Sequence, residues 1–173
     1  FWLKPTSNPA NAANACYVSK GAGGGGGNES YEVFLNNTAG VFTLYFGIYN
    51  GVGAADYLAF VHTPTTGAWH HYAMVWTAST KKATFYLDGT SQGDSLAGLN
   101  GAITDSTLPV RIGARADSVV SKYDGIIDDI RIYNAARTAG AISGDYNKEL
   151  YGTETGLVAY WPFETAATPN LTI

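Results

Sequence analysis

"GAWHHYAMVWTASTKKATFYLDG", residues 67–89, alternates side chain by side chain and turns back on itself at ASTK. In an extended strand, successive side chains point to opposite faces. Trp69, His71, Ala73 and Val75 therefore share one face, and His70, Tyr72, Met74 and Trp76 share the other. Both faces are largely apolar, which places the strand inside a sheet with cover on each side. Adjacent histidines that face opposite ways cannot chelate one ion, and no H-x-x-x-H pair or cysteine partner supplies zinc ligands. His71 is accordingly expected as a core residue, with its imidazole neutral and hydrogen-bonded.

Composition agrees. The chain's 173 residues fit one domain with a real core. Charged residues make up 14%, aromatics 13%, and there are 21 glycines, a mix suited to short strands and many turns rather than a helical bundle. A net charge of −4, with Lys81-Lys82 the only adjacent basic pair, gives no footprint for nucleic acid or anionic membrane. No apolar run approaches the roughly 18 residues of a membrane-spanning helix, and the amino end carries no signal-peptide pattern. Cys16 is the only cysteine, so neither an internal disulfide nor a cysteine-based metal site can form. Low lysine, abundant Thr, Asn and Gly, and glycosylation sequons at Asn28, Asn36 and Asn170 favour a secreted or cell-surface chain.

Outward from the opening stretch, residues 30–36 (SYEVFLN) and 41–49 (VFTLYFGIY) read as a hairpin across NTAG. Residues 56–62, 108–113 and 125–133 read as further strands. RTAGAISGDYNKEL, residues 137–150, reads as a short helix with Thr138 as its N-cap. Short strands at this spacing predict an all-β, two-sheet antiparallel β-sandwich, or jelly roll, with one short helix near the C-terminus. GAGGGGGN, residues 21–28, contains a formal G-x-G-x-x-G, but no βαβ unit follows it, so it reads as a surface loop.

"DGIIDDIRIYN", residues 124–134, is the second informative stretch. Strict alternation puts Ile126, Asp128, Ile130 and Ile132 on one face, leaving Asp128 within an isoleucine row. An ionised carboxylate there needs backbone amides, a histidine or a cation such as Ca²⁺. Asp129 beside Arg131 reads as a solvated pair on the outer face. A glycosidase needs two carboxyls about 5–5.5 Å or 6.5–9.5 Å apart. Asp124 and Asp128 lie about 13 Å apart along an extended strand, no i, i+2 acidic ladder occurs, and no G-x-S-x-G is present. The residues therefore point away from catalysis.

W-H-H-Y-A-M-V-W (69–76), Y-L-D-G (86–89), L-P-V-R-I-G-A (108–114) and G-I-I-D-D-I-R-I-Y-N (125–134) occur in that order. Together they resemble the laminin-G-like, concanavalin A-like lectin/glucanase domain. The resemblance covers nearly the whole chain and implies a jelly roll over residues 1–155 that lacks its usual first strands. GLVAYWPFE, residues 156–164, resembles the strand that normally opens such domains. Residues 156–173 then either begin a following repeat or supply a completing strand to this domain or to a neighbour. Leu157, Ala159, Trp161 and Phe163 form an apolar row that needs cover, which makes Trp161 a structural residue. The resemblance also places Trp69 and His71 at framework positions and implies a structural role for Asp128, with Ca²⁺ as a cofactor held there.

The function these readings imply is a non-catalytic binding or adhesion module of a larger surface protein, with a glycan or surface protein as ligand. Tyr45, Tyr49, Tyr57, Tyr72 and Trp76 are the candidate ligand-binding residues, because exposed aromatic rings stack on sugar faces. One alternative is a filament or surface-layer subunit, a homo-oligomer built by donating strand 156–164. A second is a β-sandwich polysaccharide hydrolase or lyase.

Overall fold

The structure, a computed structural model, describes residues 1–21, 29–50, 55–96, 103–115 and 121–164. The glycine-rich segment after Gly21 and the sequons at Asn28 and Asn170 lie outside the described residues. The third sequon residue, Asn36, is half-buried in a strand and donates its amide to Asn14 Oδ1 at 2.8 Å.

Two five-stranded sheets face each other. The first contains β1 (Trp2–Pro5), β6 (His70–Thr77), β7 (Lys82–Leu87), β8 (Thr90–Leu96) and β10 (Gly125–Asp128), in the order β10-β1-β6-β7-β8. The second contains β2 (Asn14–Gly21), β3 (Glu29–Thr38), β4 (Val41–Tyr49), β5 (Ala55–Val61) and β9 (Val110–Ile112), in the order β5-β4-β3-β2-β9. β11 (Ile130–Tyr133) pairs antiparallel with β12 (Leu157–Trp161) of the same chain. The expected antiparallel β-sandwich is therefore present, with α1 (Ala139–Asp145) as its short helix.

Alternation explains the core. Leu44, Phe46 and Ile48 of β4 pack inward against Val33 and Leu35 of β3, Leu58 of β5, and Tyr72 and Phe85 from the opposite sheet. Leu3, Leu44 and Ala83 have no exposed surface at all. Fully burying an aliphatic side chain contributes about 1.5–3 kcal/mol, so this inner layer drives the two sheets together. On the outer side of β2, Cys16 is also fully buried; its amide donates to Ser121 O, and Lys122 bridges to it alongside the strand.

The YLDG motif is a two-residue hairpin turn. Leu87 pairs with Thr90, and Asp88 and Gly89 both adopt positive φ, 49° and 76°, as a type I′ turn requires. A Cβ at Gly89 would lie 2.7 Å from Tyr146 Cδ1, so α1 also needs glycine there. β8 itself escapes the sequence reading because TSQGDSL lacks apolar alternation; it is an edge strand with polar, exposed residues.

The structure corrects the reading of residues 124–134. Asp129 takes a φ of 50° and breaks the strand into β10 and β11. A single residue in this conformation reverses the phase of alternation, as a β-bulge does. Ile127 faces the core before the break and Ile130 and Ile132 face it afterwards, while Ile126 is 55% exposed. Asp128 therefore does not sit in an isoleucine row. The outer pair is not solvated either: the side chains of Arg131 and Asp129 are only 6% and 16% exposed. Arg131 holds Asp129 through both carboxylate oxygens and also donates to the carbonyls of Asp145 and Lys148.

Helix α1 is shorter than the reading of residues 137–150. Thr138 is its N-cap, accepting from Ala141 N at 3.2 Å. Its sequence, AGAISGD, contains two glycines, each unfavourable in a helix by about 1 kcal/mol relative to alanine.

Candidate ligand-binding face

The outer face of the second sheet gathers aromatic residues because the β3–β4 hairpin fixes their register. Ala39 and Gly40 both have positive φ, so the turn is tight and Thr38 pairs with Val41. Counting back from that turn sets Phe34 opposite Tyr45 and Glu32 opposite Gly47. On the next strand, Tyr57 lies opposite Gly47. The rings of Phe34 and Tyr45 stack with centroids 5.1 Å apart, and Tyr57 meets both edge-on at 5.8 and 6.1 Å. Tyr57 is 46% exposed, Tyr45 is half-buried, and Phe34 forms the floor beneath them.

Gly47 lets this cluster close. A Cβ there would come within 2.9 Å of Glu32 Cγ and 3.0 Å of Tyr57 Cε1. Over the glycine, Tyr49 Oη donates to Glu32 Oε1 at 2.6 Å and sits 2.9 Å from Tyr57 Oη. Since Tyr49 gives its proton to the carboxylate, Tyr57 is the donor in the second bond. Arg115 approaches the other carboxylate oxygen at 3.4 Å. Burial, followed by the bond to Glu32, pushes the Tyr49 phenol up, and burial raises Tyr57 as well. Both phenols are thus neutral hydrogen-bonding groups at neutral pH. On the other side of the cluster, Ala59 and Val61 beside Tyr45 and Tyr57 are exposed. The open half is an aromatic plate with hydroxyls at one end, suited to an apolar ring face bearing polar substituents.

Of the five aromatic residues expected as ligand contacts, Tyr45, Tyr49 and Tyr57 come together here. Tyr72 is 1% exposed in the core, where its hydroxyl meets His62 Nε2 at 3.0 Å. Trp76 packs inward from β6. Phe34, Glu32, Gly47 and Arg115 escape the sequence reading, although the first three could be found by counting residues outward from the NTAG turn.

The framework residues lie elsewhere. His71 is 4% exposed and packs against Trp2 and Tyr146, with ring centroids 5.5 and 5.8 Å away. Burial holds its imidazole down to about 2, so it is neutral. Its Nδ1 has no partner among the described residues, while its backbone amide donates to Asp88 Oδ1. Trp69 is 40% exposed, and Trp161 packs on the main core from β12. Asp128 is half-buried, and burial raises its carboxyl, which accepts from Asp129 N at 2.8 Å. Ca²⁺ takes six to eight oxygens. Arg131 occupies both oxygens of neighbouring Asp129, and no group of three His, Cys, Asp or Glu side chains converges among the described residues. The acidic side chains described around Asp128 are therefore too few to fit calcium by themselves.

A cleft of about 480 Å³ opens between β6 and β11. Met74, Trp76, Ile130 and Ile132 line its walls, Val33 and Phe46 form its floor, and Ile142 and Tyr146 of α1 stand at its outer rim. Among the described residues, no helix is long and apolar enough to cross a membrane.

Residues 1–143 match the family model described as the concanavalin A-like lectin/glucanases superfamily. The chain belongs to this superfamily. No curated protein matches the chain, but solved structures share the superfamily fold. A Bacteroides ovatus protein put forward as carbohydrate-binding matches with a TM-score of 0.69 at 16% identity, over 97% of this chain. The chain spans only 45% of that protein's length. The CBM40 of Ruminococcus gnavus IT-sialidase matches with a TM-score of 0.64 at 18% identity, over 84% of this chain and 79% of its own. A heptameric SAP-like pentraxin from Limulus polyphemus matches at 0.58 and 17% identity, over 82% and 65%.

Proposed function

We propose that the chain is a non-catalytic carbohydrate-binding module that takes a glycan on the outer face of the second sheet, with Tyr45 and Tyr57 as the stacking plate. The observation that carries this reading is the exposed Tyr57 ring held by Tyr45, Phe34 and the Tyr49 hydroxyl. Because the plate is fixed by its own packing, little side-chain freedom is lost when a ligand arrives. Two of the similar structures support the ligand class: the Bacteroides ovatus protein, and the CBM40, which is also solved with alpha2,3 sialyllactose. Glu32, the acid nearest the plate, is occupied by Tyr49 and Arg115, which favours binding over bond cleavage. We extend the reading to a secreted or surface-displayed parent protein, in keeping with a module that meets glycans outside the cell.

Affinity electrophoresis in polysaccharide gels, with a glycan array to find the ligand, tests the proposal. Tyr57→Ala and Tyr45→Ala each should weaken binding about tenfold or more, the scale of a lost central aromatic contact, with thermal stability largely kept for Tyr57→Ala. Full binding by both variants would remove the plate from the account.

A further inference from the structure

Hydrogen-bond direction at the aromatic plate limits what a ligand can offer it. A carboxylate can only accept, so Glu32 fixes the sense of the chain that reaches it. Tyr49 Oη donates to Glu32 Oε1 at 2.6 Å, and Tyr57 Oη donates in turn to Tyr49 Oη at 2.9 Å. A phenol carries one proton, and that of Tyr57 is committed inward. What its oxygen has left is acceptor capacity.

Of these three side chains, Tyr57 is the one that can meet a ligand. Glu32 and Tyr49 are each 3% exposed, against 46% for Tyr57. Hydrogen bonds in a chain polarise one another, and this chain ends on a charge, so the Tyr57 oxygen is a stronger acceptor than an isolated phenol. Charge around it is already balanced. Arg115 faces the second Glu32 oxygen at 3.4 Å, and Lys20 is paired with Asp105. β3, β4 and β5 contain no lysine or arginine. Exposed Arg111 and Lys122 lie beside β2, with β3 and β4 between them and the strand of Tyr57.

We infer, in an extension that rests on the glycan reading of this plate, that it selects a neutral sugar bringing a hydroxyl proton to Tyr57 Oη. A sugar whose carboxylate or O-methyl ether meets that oxygen is disfavoured. Acceptor then faces acceptor, with neither a proton nor a cation between them, and an unpaired polar group at a closed contact costs affinity. Tyr49 and Glu32 act from beneath as positioning residues, since they decide where the Tyr57 proton points.

A glycan array printed with neutral fragments beside their uronic-acid and O-methylated counterparts tests the inference. Neutral members should bind roughly tenfold or more tightly than their counterparts. Tyr57→Phe keeps the ring and removes the acceptor, so it should bind neutral members roughly three- to tenfold more weakly and lose most of the preference. Tyr49→Phe removes the group that holds the Tyr57 proton inward. It should lower the ratio of neutral to O-methylated binding by about threefold or more, a ratio that loosened packing alone would not move. Equal or tighter binding of the counterparts by the parent overturns the inference. So does Tyr57→Phe binding like the parent while Tyr57→Ala loses affinity, and in both cases the plate itself stands. Full binding by Tyr57→Ala, or no bound glycan at all, instead removes the glycan reading and this selectivity with it.

Discussion

Replacing Arg131 with Met should be among the most damaging single changes on the β11–β12 pair. The guanidinium is 6% exposed and bridges three places at once: Asp129 in the strand break, Asp145 O at the end of α1, and Lys148 O beyond it. Met keeps much of the aliphatic stem but leaves Asp129 as a largely buried carboxylate without its counter-charge. Breaking a buried pair from one side costs about 3–5 kcal/mol, and a domain of this size shifts its midpoint by about 2–4 °C per kcal/mol. The Arg131→Met variant should therefore melt roughly 6–20 °C below the parent in a calorimetric or circular-dichroism scan. The double variant Asp129→Asn/Arg131→Met isolates the cause, because Asn tolerates the positive φ at position 129 and removes the stranded charge. It should lose at least about 1 kcal/mol less than the sum of the two single changes. A loss below about 1 kcal/mol for Arg131→Met, or strict additivity in the cycle, would refute the bridging role.

His71 makes stability depend on acid. Its folded imidazole is held down to about 2 by burial, whereas the unfolded chain takes up the proton near pH 6.5. The unfolded state binds more protons below that value, so stability is fully present above it and falls as the pH drops, by up to about 1.4 kcal/mol per unit. Urea titrations at pH 7 and pH 5 should show a shallower loss for His71→Gln, and parallel losses would contradict this. Burial lowers His62 too, with the same sign. Melting curves with EDTA and with added calcium should superimpose, since no cluster of three acidic, histidine or cysteine side chains occurs among the described residues. Gly89→Ala and Gly40→Ala form a matched pair: both have positive φ, but only at Gly89 would a new Cβ meet another side chain, Tyr146. Each should lose about 1 kcal/mol from backbone conformation, with a clear further loss at position 89 alone.

Much of the fold is legible in the sequence wherever period-two alternation meets an unambiguous turn. The opening hairpin and YLDG show this, as does the β3–β4 hairpin, whose register aligns Tyr45 with Phe34. Tyr45, Tyr49 and Tyr57 could be grouped from alternation, but parity alone could not say which face of β4 carries the core. Leu44 and Phe46 decide that only through packing against Tyr72 and Phe85. Residues 124–134 misled for a physical reason: Asp129 holds positive φ without being glycine, so nothing marks the phase reversal. Once the break is present, Asp128 leaves the isoleucine row, while Arg131 stays on the outer side and is covered there through its bonds to Asp145 O and Lys148 O. The β8 edge stayed hidden because an edge strand needs no apolar face.

The placement of Cys16 has a practical bearing on how the molecule behaves in air. Disulfide exchange needs an attacking thiolate that can reach another sulfur. With no exposed surface, this sulfur offers no such approach. Folded molecules should stay uncrosslinked through long storage without reductant, and labelling by a bulky maleimide should report unfolding rather than surface chemistry.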